Sequence, residues 1–288
     1  MSALRFGLVA NRLHRRAEGA LLAWARACDE SIRTLDLQLY AVGGAYDALA
    51  GAHRLSGHSG LFRLPSGVDG GVMRLASRVT GGLDPADELD GVIYLIDPVD
   101  PSSLYPEAQA LKRQCVIHGK PFVSTEAGAV EWMAVELFHA GVGRPMPAAP
   151  LAGQTVALIA HDALKQHMVA FAAMHFDLLS AFATRVGTGT TGGLLNEMAW
   201  SRGWPADIPW VKPQLSGPMG GDAQIAELVL NRACSKVIFF EDPHVARQHE
   251  ADIQLLERAV CTASKDTTCF NSPSMAERWA VAVTRPSH

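Results

Sequence analysis

Short all-apolar runs alternate along the chain with stretches whose apolar residues recur at helical spacing. In the second half, residues 156–160 (VALIA) form a continuous apolar run, the pattern of a strand covered on both faces. Asp162 then stands where a helix cap belongs, and Leu164, Met168, Phe171 and Ala172 follow at helical spacing. Residues 181–186 predict a second strand. Asp222 opens a helix with Ile225, Leu228 and Val229 inward, 237–240 is a further apolar strand, and 249–262 is a helix with Ile253, Leu256 and Val260 inward. This βαβα rhythm predicts a parallel sheet flanked by helices. In such a fold the ligand site collects at the carboxyl ends of the strands.

The pattern is written twice. FGLVANRLHRR at 6–16 matches VALIAHDALKQ at 156–166, and GVDGGVMRLA at 67–76 matches GPMGGDAQIA at 217–226, both 150 positions apart. GVIYLIDP at 91–98 matches KVIFFEDP at 236–243, a slip of five that one loop change explains. Arg113 then faces Arg258, and KPFVS at 120–124 faces the stretch at 265–270. Between the copies, HAGVGRPMPAAPLAG at 139–153 is rich in Pro, Gly and Ala and has no amphipathic period, which reads as a linker. The expectation is two tandem α/β domains, 1–138 and 154–288.

Composition narrows the class. The 288 residues are 48% hydrophobic and 19% charged with net charge −4, a globular balance with no electrostatic footprint for nucleic acid or an acidic membrane. Five cysteines without a C-x-x-C pair argue against a disulfide framework or a structural zinc site. The apolar run near the N-terminus is short and precedes the basic residues, the reverse of a signal peptide. No stretch reaches the length of a membrane span. A reduced, cytoplasmic protein is expected.

Four polar segments follow predicted strands of the second half: His161-Asp162 with Lys165, GTGTTGG at 187–193, SGPMGGD at 216–222, and EDP at 241–243 running on to His249. All four should gather at one sheet edge. Each has a plain reading when taken alone. A Gly-rich turn is usually only a turn, Lys165 a solvated cation, Asp222 a helix cap, Asp242 a turn residue before Pro243, and His249 an exposed histidine. A lysine at a helix start gains nothing from the helix dipole, however, and a glycine loop with three threonines ahead of a helix suits an anion. Neither a Walker A loop nor an in-register G-x-G-x-x-G is present.

Taken together, VALIAHDALKQ, GTGTTG, LSGPMGGDAQ and VIFFEDP followed by HEAD and Arg258 make residues 154–279 resemble methylglyoxal synthase. The resemblance implies two tandem three-layer α/β/α domains, each with a mainly parallel, Rossmann-like sheet. It implies a lyase without metal or cofactor that converts dihydroxyacetone phosphate to methylglyoxal and inorganic phosphate. Asp222 corresponds to the catalytic carboxylate. His161, Lys165, Thr188, Gly189, Thr190, Thr191, Ser216, Gly217 and His249 correspond to substrate-contacting positions, with His249 the expected donor to the carbonyl oxygen. Asp162, Asp242, Asp252 and Arg258 match charged positions around the site. A homo-oligomer, in the form of a trimer of tandem chains, is the expected assembly.

The first copy keeps the skeleton and loses this set. Asn11 and Arg12 stand for His161 and Asp162, Arg15 for Lys165, VGGA at 42–45 for TGTT, Val72 for Asp222 and Leu104 for His249. Valine cannot act as a base, so residues 1–138 are expected to be catalytically silent. Three rival readings of the whole remain: a regulatory anion- or phosphate-binding module of the same fold, a triose-phosphate isomerase, and a structural scaffold.

Overall fold

The computed structural model describes residues 3–244 and 250–284. The chain divides into two compact units, Met1–Arg144 and Pro145–His288.

In the first unit, β1 (Arg5–Ala10), β2 (Gln38–Val42), β3 (Leu61–Leu64), β4 (Gly91–Leu95) and β5 (Phe122–Val123) form one sheet in the order β3-β2-β1-β4-β5. Its helices are α1 (Ala20–Ala27), α2 (Asp29–Thr34), α3 (Gly43–Gly51), α4 (Gly71–Val79), α5 (Pro106–Ile117) and α6 (Glu126–His139). In the second unit, β6 (Thr155–Ala160), β7 (Thr184–Gly187), β8 (Lys212–Pro213), β9 (Lys236–Phe240) and β10 (Thr268–Phe270) take the order β8-β7-β6-β9-β10. Its helices are α7 (Lys165–Met174), α8 (Phe176–Ser180), α9 (Gly189–Ser201), α10 (Gly221–Leu230), α11 (Glu250–Thr262) and α12 (Pro273–Thr284). Every strand pair is parallel in both sheets, and the two orders are the same when read in chain sequence. Each unit is thus a three-layer α/β/α sandwich, as the alternation of strand and helix patterns predicts.

Strand alternation divides the core of the second unit into two layers. Ala157, Ile159, Val186, Val237 and Phe239 face Ile225, Ala226 and Val229 of α10 and Leu256 and Val260 of α11. The intervening residues face the other helices. Phe240 meets Phe171 of α7 with ring centres 5.6 Å apart, and Phe270 meets Trp279 of α12 at 5.2 Å. Each such side chain contributes roughly 1.5–3 kcal/mol by leaving water.

The structure departs from the sequence reading in two places. The second strand starts at Thr184, because residues Phe176–Ser180 form a short helix first. Asp162 does not cap the following helix: it begins a 3-10 turn, Asp162–Leu164, and α7 starts only at Lys165 with Leu164 in the cap position. Asp162 therefore sits nearly a turn too early to reach the first backbone donors of α7. The Pro- and Gly-rich stretch also has structure of its own. Leu151 is buried, its carbonyl accepts from Ala183 N–H at 3.2 Å, and Met146 N–H donates to Ala282 O at 3.0 Å, so residues 145–153 pack onto the second unit.

Arg185 explains how the start of β7 is held. This arginine is 8% exposed, and its guanidinium caps peptide carbonyls. Nε donates to Trp210 O at 2.7 Å, and Nη1 donates to Leu179, Ser180 and Phe182 O at 3.2, 3.3 and 2.8 Å. The guanidinium also lies 5.4 Å from the Trp210 ring centre and 5.6 Å from that of Trp204. Burial pulls its pKa below the ordinary arginine value. These bonds tie α8 and the segment before β8 to β7, which carries the threonine turn at its end.

Two packing predictions follow from this frame. An Arg185→Met variant leaves these carbonyls without donors and should lose about 2–4 kcal/mol of unfolding free energy by denaturant titration; an unchanged midpoint would refute the clamp. At Gly221 an added Cβ would lie 1.9 Å from Leu215 O. Gly221→Ala should therefore lower stability by more than about 2 kcal/mol in the same assay, and a neutral effect would contradict the described packing.

Candidate active site

The carboxyl ends of β6 and β9 are joined by two hydrogen bonds. His161 N–H donates to Phe240 O at 3.1 Å, and Asp242 N–H donates to His161 Nδ1 at 2.7 Å. The second bond makes Nδ1 an acceptor, so the neutral imidazole carries its proton on Nε2. The ring meets Phe239 edge-on at 4.9 Å between centres. This places His161 on the face covered by α10 and α11, in step with Ala157 and Ile159.

The threonine turn and the Gly-rich turn are bolted together beside it. Gly189 N–H donates to Leu215 O at 3.0 Å, and Gln214 N–H donates to Gly187 O at 2.8 Å. The backbones approach so closely that a Cβ on Gly189 would lie 3.1 Å from Ser216 N. Thr188 and Thr191 are buried with their hydroxyl oxygens 3.5 Å apart, whereas Thr190 is exposed. Thr188 stands at the N-cap of α9, whose unpaired backbone N–H groups favour an anion there.

The turn Ser216–Gly221 reverses the chain into α10. Gly220 has φ +99°, a left-handed conformation suited to glycine. Gly221 N–H donates to Ser216 O at 3.0 Å. Asp222 occupies the first turn of α10 and is 8% exposed. Its Oδ2 lies 3.1 Å from where a Cβ on Gly217 would stand. The carboxylate is turned back over the Ser216-Gly217 turn, which is itself fastened to the threonine turn. Thr188, Gly189, Thr191, Ser216, Gly217 and Asp222 thus form one connected cluster.

The other expected residues are placed as follows. Lys165 extends from the first turn of α7, a helix packed against α9, and its Nζ pairs with Asp162 Oδ1 at 2.5 Å. The Asp162 side chain is 95% exposed. Asp242 turns its carboxylate to its own turn, accepting from His244 N–H at 2.8 Å, and gives His161 a backbone donor. Arg258 is exposed on α11. Asp252 lies in the first turn of α11, with its side chain outside the described part of the structure. His249 lies outside the described residues.

Sequence reasoning missed the amides that support the cluster. Gln224 Oε1 accepts from Leu215 N–H at 2.9 Å. Buried Asn196 closes a two-way bond with Val211, accepting its N–H at 2.8 Å and donating to its carbonyl at 3.0 Å. An amide at an inward helical position was the available signal. Among the described residues, no group of three His, Cys, Asp or Glu is placed to hold a metal ion. Burial pushes the Cys28 and Cys115 thiols up to about 12 and that of Cys234 to about 11, which makes them poor nucleophiles.

The first unit keeps the same scaffold with different chemistry. Asn11 Oδ1 accepts from Asp97 N–H at 2.9 Å, the bond that His161 Nδ1 makes with Asp242. Gly43 N–H donates to Pro65 O at 3.2 Å, as Gly189 does to Leu215. A Cβ on Gly71 would lie 2.1 Å from Pro65 O, and Gly70 has φ +84°. Buried Val72 occupies the position of Asp222. Arg15 lies across Gly44, with Nη1 1.6 Å from where a Cβ would stand, so a side chain at that position would displace the guanidinium.

No protein-family model matches the chain. Curated relatives do. The chain is 42% identical over 108 residues to a methylglyoxal synthase of Thermus thermophilus, a match covering 38% of this chain and 78% of that protein. It is 44% identical over 103 residues to the methylglyoxal synthase of Treponema socranskii, covering 36% of this chain and 63% of that protein, just under two thirds of that relative's length. The crystal structure of methylglyoxal synthase from Elizabethkingia anophelis NUHP1 is 30% identical, covers 50% of this chain and 82% of that one, and superimposes with a TM-score of 0.36. Among the described residues, no helix is long and apolar enough to cross a membrane. At this identity, and over more than two thirds of the Thermus relative, the chain belongs to the methylglyoxal synthase family.

Proposed function

We propose that the second half of the chain is a carbon–oxygen lyase converting dihydroxyacetone phosphate to methylglyoxal and inorganic phosphate. We propose further that the first half is a duplicated copy that supports it without turnover. The observation that carries this reading is the buried Asp222 carboxylate, folded back over a turn that is fastened to the threonine-capped N-terminus of α9.

The reaction begins at the hydroxymethyl carbon, whose C–H is acidified by the neighbouring carbonyl. Asp222 takes that proton, and the electron pair moves onto the carbonyl oxygen as an enediolate. A donor on that oxygen contributes about 3–4 kcal/mol to the transition state. His249 is assigned this part by its sequence position, and the Nε2–H tautomer of His161 suits a second donor. The C–O bond to phosphate then breaks as the double bond shifts toward the carbon that carried it. The hydroxyl loses its proton to become the aldehyde oxygen, and the product enol ketonises to methylglyoxal. Loss of phosphate is favoured when that C–O bond stands perpendicular to the enediolate plane. Lys165, Thr188, Thr191 and the N-terminus of α9 take up the charge of the departing phosphate. Val72 offers no base in the first half, which supports its silence.

Three variants test these assignments in a phosphate-release assay. Asp222→Asn keeps the shape of the side chain and should lower kcat by about a hundredfold to ten-thousandfold with little change in phosphate affinity; near-native turnover would remove Asp222 as base. Lys165→Ala should raise KM by about tenfold or more with a smaller effect on kcat; an unchanged KM would reject its phosphate role. His161→Asn can keep the acceptor for Asp242 N–H, as Asn11 does for Asp97. It should therefore unfold within about 1 kcal/mol of the parent while losing turnover. A variant that stayed active would reduce His161 to a structural residue. Tight phosphate binding by the parent chain without turnover would favour the regulatory module.

A further inference from the structure

Leu215 stands between the two turns of the site, yet its side chain does not anchor it, being 51% exposed. Its backbone does. Leu215 O accepts from Gly189 N–H of the threonine turn at 3.0 Å, and Leu215 N–H donates to Gln224 Oε1 at 2.9 Å. A backbone N–H only donates, so the carboxamide must face it with its oxygen. Gln224 lies three residues after Gly221 and therefore on the same face of α10. Gly221 is the residue whose missing Cβ lets Leu215 O approach. The first turn of α10 thus grips Leu215 twice, through a glycine that makes room and an amide that bonds it. The same turn carries Asp222.

The first unit closes its turn without this amide. Pro65 stands in place of Leu215 and Arg74 in place of Gln224, and proline has no N–H to give. The rest of the joint is still there: Gly43 N–H donates to Pro65 O at 3.2 Å, and a Cβ on Gly71 would lie 2.1 Å from that oxygen. The scaffold therefore closes without the amide clamp, and the two exchanges accompany that of Asp222 for Val72. The bond from Leu215 to Gln224 also lies at an exposed position, so water can serve the N–H when the amide is gone and little stability depends on it.

We infer that Gln224 is a positioning residue: by holding Leu215 it fixes the turn that carries Asp222 against the threonine turn. The inference rests on the lyase reading and deepens it. In that reading Lys165, Thr188 and Thr191 grip the phosphate from one side of this joint, and the carboxylate meets the C–H from the other. A joint that shifts leaves the anion grip intact and moves the base away from its carbon. A displacement of about 1 Å can cost on the order of a hundredfold in rate. Gln224 itself takes no proton and forms no bond to the substrate.

The test compares the full-length parent with Gln224→Met, which keeps the length of the side chain without its acceptor, and Gln224→Glu, which keeps an acceptor oxygen. Phosphate release from dihydroxyacetone phosphate gives kcat and KM, calorimetric titration gives the affinity for inorganic phosphate, and thermal unfolding reports the fold. Gln224→Met should lower kcat about tenfold to a hundredfold. Its phosphate affinity should stay within about twofold, because the groups that hold the anion are untouched, and its midpoint within about 4 °C. Gln224→Glu should return kcat to within about threefold of the parent. A Met variant with the parental kcat overturns the inference, as does one that loses kcat and phosphate affinity in parallel, or a Glu variant as slow as the Met variant. Each of these outcomes leaves the lyase reading standing, because the parent still turns over. A parent that releases no phosphate refutes the lyase reading itself, and the positioning role falls with it.

Discussion

The site depends on one steric constraint, the close approach of the backbone at Gly221 to the carbonyl of Leu215. With no room for a Cβ between them, the chain turns abruptly from β8 into α10. The turn carries Asp222 inward, to a place where a carboxylate is shielded from water by the structure around it. The same segment presents Leu215 O to Gly189, so one turn positions both the carboxylate and the threonine turn. The constraint is expensive for any other residue and leaves glycine as the solution. It recurs at Gly71 and Pro65 in the first unit, which shows that it belongs to the scaffold and not to the chemistry.

Comparing the two units separates structural from chemical duties residue by residue. The bond from Asp242 N–H to His161 Nδ1 has its counterpart from Asp97 N–H to Asn11 Oδ1. An amide can hold the two strand ends together, so that half of the histidine is architecture. What asparagine cannot supply is the Nε2–H of an imidazole. Val72 likewise fills the volume of Asp222 without its charge, and Arg15 spreads over Gly44 where the second unit has Thr190. The backbone hydrogen bonds of the edge survive these exchanges because they involve peptide groups, which substitution leaves in place.

Much of this was legible in the sequence. Continuous apolar runs gave β6 and β9 because buried parallel strands need apolar residues on both faces. The helical spacing of Met168, Phe171 and Ala172 gave α7, and all three are buried. The segments at His161, 187–193, 216–222 and 241–243 each follow a strand of the parallel sheet, as its topology requires, while His249 lies outside the described residues. What escaped was set by tertiary contacts that leave no periodic trace. Arg185 reads as a polar residue within a strand pattern, and its partners are carbonyls scattered between Leu179 and Trp210. Residues Phe176–Ser180 are apolar enough to pass for the approach to a strand, and they fold as a helix instead. Asp162 resembles a cap by spacing alone, but a 3-10 turn intervenes. β8 is two exposed residues, Lys212 and Pro213, and has no hydrophobic signature at all.

The central claim is that this edge carries out elimination rather than isomerisation or simple anion binding. The most direct measurement is product analysis: the purified full chain is incubated with dihydroxyacetone phosphate, and inorganic phosphate and methylglyoxal are quantified over time. The account predicts that the two appear together in equal amounts. Formation of an isomeric triose phosphate without phosphate release, or a chain that binds phosphate yet leaves the substrate intact, would contradict it.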